Sequence, residues 1–491
     1  MSDQPQQPIR FRSRTAQRVT TRTADRGTRW VFAVVGLCSL VWLVVGVLPQ
    51  PSWAATPWTP SDPALKPMGT ARGIFPGRVV WVHDPDAASW KPGTGHWWED
   101  AHTDPKVVGR MMSDGLRRLT GKDTDAAAWD AIFKHFNSAR GKGNVGYQPG
   151  EKIAVKLNLN TCGTHGTPGG DAIFNTPQAT HALLRQLIDK AKVPGETITL
   201  CEPSRRVPAP LYDLCRPLKV RFVDNSGGDG RVQARPDPKV TVHCGDPKVP
   251  NSGRYHLPVC LTEADYVINF ALLKGHNLTA VTLCAKNHIG SVWVPDAGRG
   301  KGAWTPAGMH PYIRAFGGNW KRKWPARKMG SYTPLVDLMG HKDLGEKTLL
   351  FLLDALYVAN DQSGVPNQWK SAPFNDHWTS SVFLSQDGVA IDSVGVDFLR
   401  NEPTCEGNVR GTLDNYLHEA ALAGDPPSGT VYDPEKDGTR LRSLGAHEHW
   451  KDAASKKYSR NLAAGEGIEL ISSEAAGARG KRGASRSGPG E

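Results

Sequence analysis

The chain reads as an α/β protein with a mostly parallel sheet covered by helices on both faces, and three observations carry that reading. Short apolar runs of strand length alternate with amphipathic stretches of helical period. Several of the apolar runs stop abruptly at polar residues, as buried strands do when they reach the edge of a sheet. The spacing between runs is short and regular, which suits right-handed strand-helix-strand crossovers. On sheets of this kind ligands collect at the carboxyl ends of the strands.

At 491 residues the chain is long enough for one large or two intimate domains, preceded and followed by tails. Residues 1–29, with seven Arg against Asp3 and Asp25, hold +5 of the net +12, and residues 475–491 hold another +3. The remaining +4 is ordinary for a globular body, so the basic balance does not argue for nucleic acid as a partner. Trp30 to Leu48 is an uncharged apolar run of 19 residues. With the arginines before it, it reads as a signal peptide or membrane anchor spanning 30–55. The small residues of Pro51-Ser52-Trp53-Ala54-Ala55 suit signal cleavage. An extracytoplasmic location follows: periplasmic, at the cell surface or secreted, attached to the membrane if the segment is retained. Residues 56–76 read as a linker, 77–474 as the globular domain, and 475–491 as a disordered basic tail.

Cys38 lies in the apolar segment and seven cysteines follow it, none in a Cys-x-x-Cys arrangement, so no iron-sulfur cluster or zinc ribbon is expected. Cys201 with Cys215 and Cys244 with Cys260 are the disulfide candidates by proximity in sequence. Neither a P-loop, a His-Glu-x-x-His motif nor a Gly-x-Ser-x-Gly elbow occurs, which removes local support for three large enzyme classes.

Arg78 to His83 is the first predicted strand. Ala126 to Phe136 places Trp129, Ile132, Phe133 and Phe136 on one helical stripe behind a cap at Asp123 or Thr124. Lys152 to Asn160 alternates, with Ile153, Val155, Leu157 and Leu159 on one face and Lys156, Asn158 and Asn160 on the other. Amides are poor strand formers, so their place beside a lysine points to a binding role. Asn175-Thr176-Pro177 opens a helix running to about Lys192. Thr197 to Leu200 is a strand ending at Cys201-Glu202-Pro-Ser204-Arg205, followed by a short helix with Leu211, Leu214 and Cys215 and a strand from Lys219 to Asp224. Residues 227–254 read as irregular.

Asp265 to His276 is the organising stretch: a β-rich apolar run that delivers Lys274 and His276 at its end. Twelve residues later Lys286, Asn287 and His288 form a second cluster of amine, amide and imidazole. Such groups suit anion binding, proton transfer or metal ligation. Residues 293–333 interleave Trp304, His310, Trp320, Trp324 and several Lys and Arg. They suit a surface loop, a grip on an anionic polymer, or a lid over the site. Beyond them come a helix at Pro334 to His341 and an apolar element, Thr348 to Val358, interrupted by Asp354. A strand from Ser381 then leads into a helix capped by Asp387 and carrying Asp392. A buried carboxylate needs a partner, so Asp354 and Asp392 are candidates for a divalent cation or for structural hydrogen-bonding.

Lys156-Leu-Asn-Leu-Asn160, Asn269 through Lys274-Gly-His276, Thr282 through Gly290 and Ser385 through Asp392 together resemble the domain of unknown function 362 family, over about residues 78–400. The resemblance implies the fold and the choice of site; it carries no settled reaction. The function expected is that of an exported enzyme acting on a small carboxylate- or phosphate-bearing substrate. In it Lys274, Lys286, His276 and His288 do the chemistry, Lys156, Asn158, Asn160, Asn287 and Glu202 hold the ligand, and a cation at Asp354 and Asp392 is a variant. The alternatives are a non-catalytic binding or envelope-associated protein and a binder of an anionic polymer.

Overall fold

In the computed structural model the described residues are 66–162, 170–306, 308–317, 325–451 and 453–474. Among them a nine-stranded sheet runs in the order Glu469–Glu474, Arg78–His83, Ser381–Ser385, Thr348–Ala355, Tyr266–Leu272, Ile153–Lys156, Ile198–Glu202, Arg221–Asp224, Val232–Gln233. Only Ser381–Ser385 opposes the rest, pairing antiparallel with both its neighbours. The expected mixed α/β class with a mostly parallel sheet is what the chain forms.

Alternation along the strands makes two cores. Val80, Val82, Ile153, Val155 and Ile268 belong to one apolar cluster. Val79, Trp81, Ala154, Val267 and Ala271 belong to the other. Helices cover each. Asp125–Ala139, capped by Thr124, buries Trp129, Ile132 and Phe133 as its period predicts. Pro105–Thr120, a stretch to which the sequence reading assigns no element, is a helix capped by Asp104 and closed by Gly121 in the left-handed region. The helix opened by Pro177 continues past Arg185 through a π-turn, Gln186–Lys190. On the other face Gly388–Asn401 is capped by Asp387 as expected.

Three features differ from the sequence reading. Residues 227–254 are not irregular throughout: Pro236–Val242 pairs antiparallel with Tyr255–Pro258 in a separate four-stranded sheet, whose proline-broken, weakly alternating sequence hides it. Residues 66–76, read as linker, join the body, with Met68 and Gly69 paired to His447 and Ala446. The described cysteines are all free. Cys201 and Cys215 fall in clusters on opposite faces of the sheet, which separates that candidate pair. Among the described residues no helix is long and apolar enough to cross a membrane. The apolar run 30–48, like the tail 475–491, lies outside them.

Candidate active site at the strand ends

From Ile153–Lys156 the chain steps outward to Ile198–Glu202 and Arg221–Asp224, then returns to the other side of Ile153–Lys156 at Tyr266–Leu272. The carboxyl ends of the 153–156 and 266–272 strands therefore flank a topological switch point, where a crevice forms without any special sequence. A cavity of about 400 Å³ lies there. It is lined by Asn158, Asn160, Glu202, Lys274, His276, Lys286 and Asn287, and also by Ser204, Arg205, Thr282, Trp304, His310 and Gln362.

Lys156 does not reach the ligand space as expected. It is fully buried, and its ammonium spends all three protons: on the Leu157 carbonyl at 2.7 Å, Glu202 Oε2 at 2.8 Å and Asn287 Oδ1 at 3.2 Å. Glu202 is equally committed, since its Oε1 accepts from the Ser204 hydroxyl at 2.6 Å. Gly290 packs over this pair. A Cβ there would stand 2.7 Å from Glu202 Oε1 and 3.3 Å from Lys156 Nζ, so only glycine lets the 288–291 turn close on it. Asn287 ties the floor together by accepting from Asn158 Nδ2 at 3.1 Å and donating to Asn269 Oδ1 at 2.9 Å.

Lys274 and His276 sit two apart on the strand Lys274–His276, which forms a hairpin with Ala280–Thr282, so both project from one face. Gly275 allows the hairpin to press on the neighbouring loop, because a Cβ would meet the Asn360 carbonyl at 1.9 Å. Lys274 Nζ donates to the Gln362 carbonyl at 3.1 Å. Burial, then the charge of Lys286, brings its amine down to about 7. His276 Nδ1 accepts backbone N–H groups of Leu278 at 3.0 Å and Thr279 at 3.4 Å. This fixes the tautomer with the proton on Nε2. Burial and the charges of Lys286 and Lys274 hold the ring well below its usual range, so it is a neutral hydrogen-bond donor and not a free base.

Lys286 rides on the short helix Cys284–Asn287. Among the described residues its Nζ has no hydrogen-bond or ion-pair partner, and burial followed by the Arg205 charge lowers it to about 8. Arg205 is held by the Asn160 carbonyl and side chain, both at 2.9 Å, and by the Ser204 carbonyl at 2.8 Å. Among the described residues no carboxylate pairs with it. Sequence reasoning passes Arg205 over, although it lies three residues beyond a strand end and one residue beyond Ser204; Thr282 enters it only as the first residue of a segment that carries the resemblance, and Gln362 carries no signal in the sequence at all.

The other candidates are placed elsewhere. His288 turns away from the cavity: its Nε2 accepts from Asn269 Nδ2 at 3.0 Å, and burial drops it to about 3. The two carboxylates expected at a cation serve as caps. Asp354 accepts from the Thr176 N–H at 2.6 Å and hydroxyl at 3.1 Å, and burial raises it to about 6. Asp392 accepts from the N–H groups of Cys284 at 2.8 Å and Ala285 at 3.0 Å, and burial raises it to about 7. That bond anchors the helix that carries Lys286. Among the described residues no group of three or more His, Cys, Asp and Glu is arranged to hold a metal ion. From the 293–333 insertion Trp304, Pro306 and His310 wall the cavity, while Trp320 to Trp324 lie outside the described residues.

No curated protein sequence matches the chain. The family model described as "Domain of unknown function (DUF362)" matches residues 153–397, a span that holds the switch-point strands and every cationic group of the cavity. The chain belongs to the domain of unknown function 362 family.

Proposed function

We propose that this cavity binds a small organic anion, carboxylate or phosphate, and that the protein acts on it as an enzyme. The observation that supports the reading is a mismatch of charge. Lys274, Lys286 and Arg205 converge on one half-open cavity, Lys274 fully buried and the other two partly exposed to it. The carboxylate in its lining, Glu202, is already neutralised by Lys156. Cations gathered in low dielectric without a counter-charge are costly, and an anionic ligand repays that cost.

The choice of enzyme over passive binder rests on the two lysines held near neutrality, where an amine can give or take a proton. His276 has the different task of donating from Nε2. The extracytoplasmic location is part of the same proposal and rests on the 30–48 run and its arginines alone. The aromatic and imidazole groups of the insertion, which wall the cavity, favour its role as a lid over an anionic polymer grip.

Thermal shift and titration calorimetry with a panel of small carboxylates and phosphates test the reading. At least one should stabilise the protein, and its affinity should fall about tenfold or more in Arg205→Ala and in Lys274→Met. A protein that no member of the panel stabilises, or variants that bind as the wild type does, would refute it.

A further inference from the structure

The three cations of the cavity are not equivalent. Arg205 is fixed by three acceptors and keeps two of its five N–H protons for a ligand. Lys274 is fixed by the Gln362 carbonyl. Both are built as clamps for negative charge. Lys286, on a helix anchored by Asp392, has no acceptor among the described residues. As an ammonium it would carry three protons without an acceptor; as a neutral amine it presents a lone pair.

Among the described residues two further polar atoms of the lining lack partners. Thr282 Oγ1 and Asn158 Oδ1 are buried with no hydrogen bond, on residues 3 % and 7 % exposed. Thr282 stands opposite Lys274 in the hairpin, so its hydroxyl shares the face that carries Lys274 and His276. A simple inorganic anion would satisfy the clamps and leave these atoms, the His276 Nε2–H and the Lys286 lone pair unused. A ligand with a second, carbonyl-type polar group would engage the Thr282 hydroxyl, the His276 donor and the Lys286 lone pair, and the hydroxyl formed when that carbonyl is attacked would give Asn158 Oδ1 a donor.

We propose that Lys286 is an imine-forming nucleophile and that the ligand is a small oxo acid, a carboxylate bearing a ketone or aldehyde. The proposal rests on the anion reading above and deepens it. Arg205 and Lys274 hold the carboxylate. The Lys286 Nζ lone pair attacks the carbonyl carbon, and the carbonyl π electrons move to oxygen, which faces the His276 donor and takes up the proton that nitrogen releases. The resulting carbinolamine loses its hydroxyl as water after a second protonation, for which Lys274 is the neighbouring acid. The C–O bond breaks, a C=N⁺ bond remains, and no oxidant or reductant is consumed. Burial, and after it the positive charge of Arg205, keeps part of the Lys286 amine neutral near physiological pH, which this step requires.

The test is reductive trapping. The full chain is incubated with pyruvate or acetoacetate and cyanoborohydride near neutral pH and then mapped by peptide mass spectrometry. The expected result is a reduced adduct on the Lys286 peptide of the wild type and none there in Lys286→Arg, which keeps a positive charge at that position but has no amine able to form an imine. Absence of the adduct in a wild type that still binds acetate would overturn the imine and spare the anion site. An adduct spread over surface lysines, or undiminished in total in Lys286→Arg, would overturn it as well. Loss of both trapping and acetate binding in the wild type would remove the two readings together.

Discussion

Buried charge is handled in two opposite ways in this molecule. At the helix starts, Asp354, Asp387 and Asp392 are fully buried and surrounded by backbone donors. In the cavity, Lys274 has one acceptor and Lys286, among the described residues, none, while Lys156 in the wall has three. The contrast teaches which buried charges hold the fold and which await a ligand: saturation marks the first kind, and deprivation the second.

The contrast can be broken from the acidic side first. Asp387 accepts N–H groups of Val389, Ala390, Arg72 and Ala446, so Asp387→Ala strands four donors. It should cost about 3 kcal/mol or more in urea unfolding and leave ligand affinity per folded molecule unchanged. Asp392→Ala should cost about 2 kcal/mol and, unlike Asp387→Ala, also weaken anion binding, because it frees the helix that carries Lys286. Equal binding losses in the two variants would erase the distinction between a general cap and a site-positioning one.

On the basic side the sign reverses. The folded-state value for Lys274 is about 7 against 10.5 for an ordinary lysine, so between these values the folded chain holds fewer protons than the unfolded one. Its contribution to stability therefore rises with pH through that window, and the penalty is complete below it. Lys274→Met should accordingly stabilise the ligand-free protein at acidic pH, on the order of 1 kcal/mol, and have no such effect above the window. A Lys274→Met variant less stable than wild type at acidic pH would mean that the amine is a structural group like Lys156. The smallest effect is expected at Gly290, where Gly290→Ala crowds the Lys156–Glu202 pair and should reduce anion affinity about threefold, under 1 kcal/mol.

How much of this was legible in the sequence follows from the same physics. Strands announce themselves by apolar runs, and polar residues at their ends mark one side of the sheet. Asn158, Asn160, Glu202, Asp224, Lys274 and His276 could therefore be assigned to one crevice before any coordinates; all but Asp224 line it, and Asp224 is buried against the N–H groups of Val207, Ser226 and Gly227. The pattern does not tell which way a side chain turns after the strand ends. Lys156 and His288 share the chemistry of Lys274 and His276 but face inward, because Glu202 and Asn269 claim them. Asp354 and Asp392 looked equally suited to a cation or to a cap, since a carboxylate needs donors either way and backbone donors leave no trace in a sequence. Arg205 lies beyond a strand end in a loop, and Thr282 reaches the site through hairpin pairing, a relation that only the register reveals.

The central claim is that the cavity cations are short of negative charge, and proton linkage tests it most directly. Calorimetric titration with sulfate, which does not itself titrate in this range, is run in two buffers of different ionisation enthalpy at a pH of about 8, where Lys286 is near its midpoint and Lys274 mostly neutral. The account predicts that binding draws protons onto the lysines, with a net uptake that shrinks as the pH is lowered. Binding without proton uptake at that pH would contradict it.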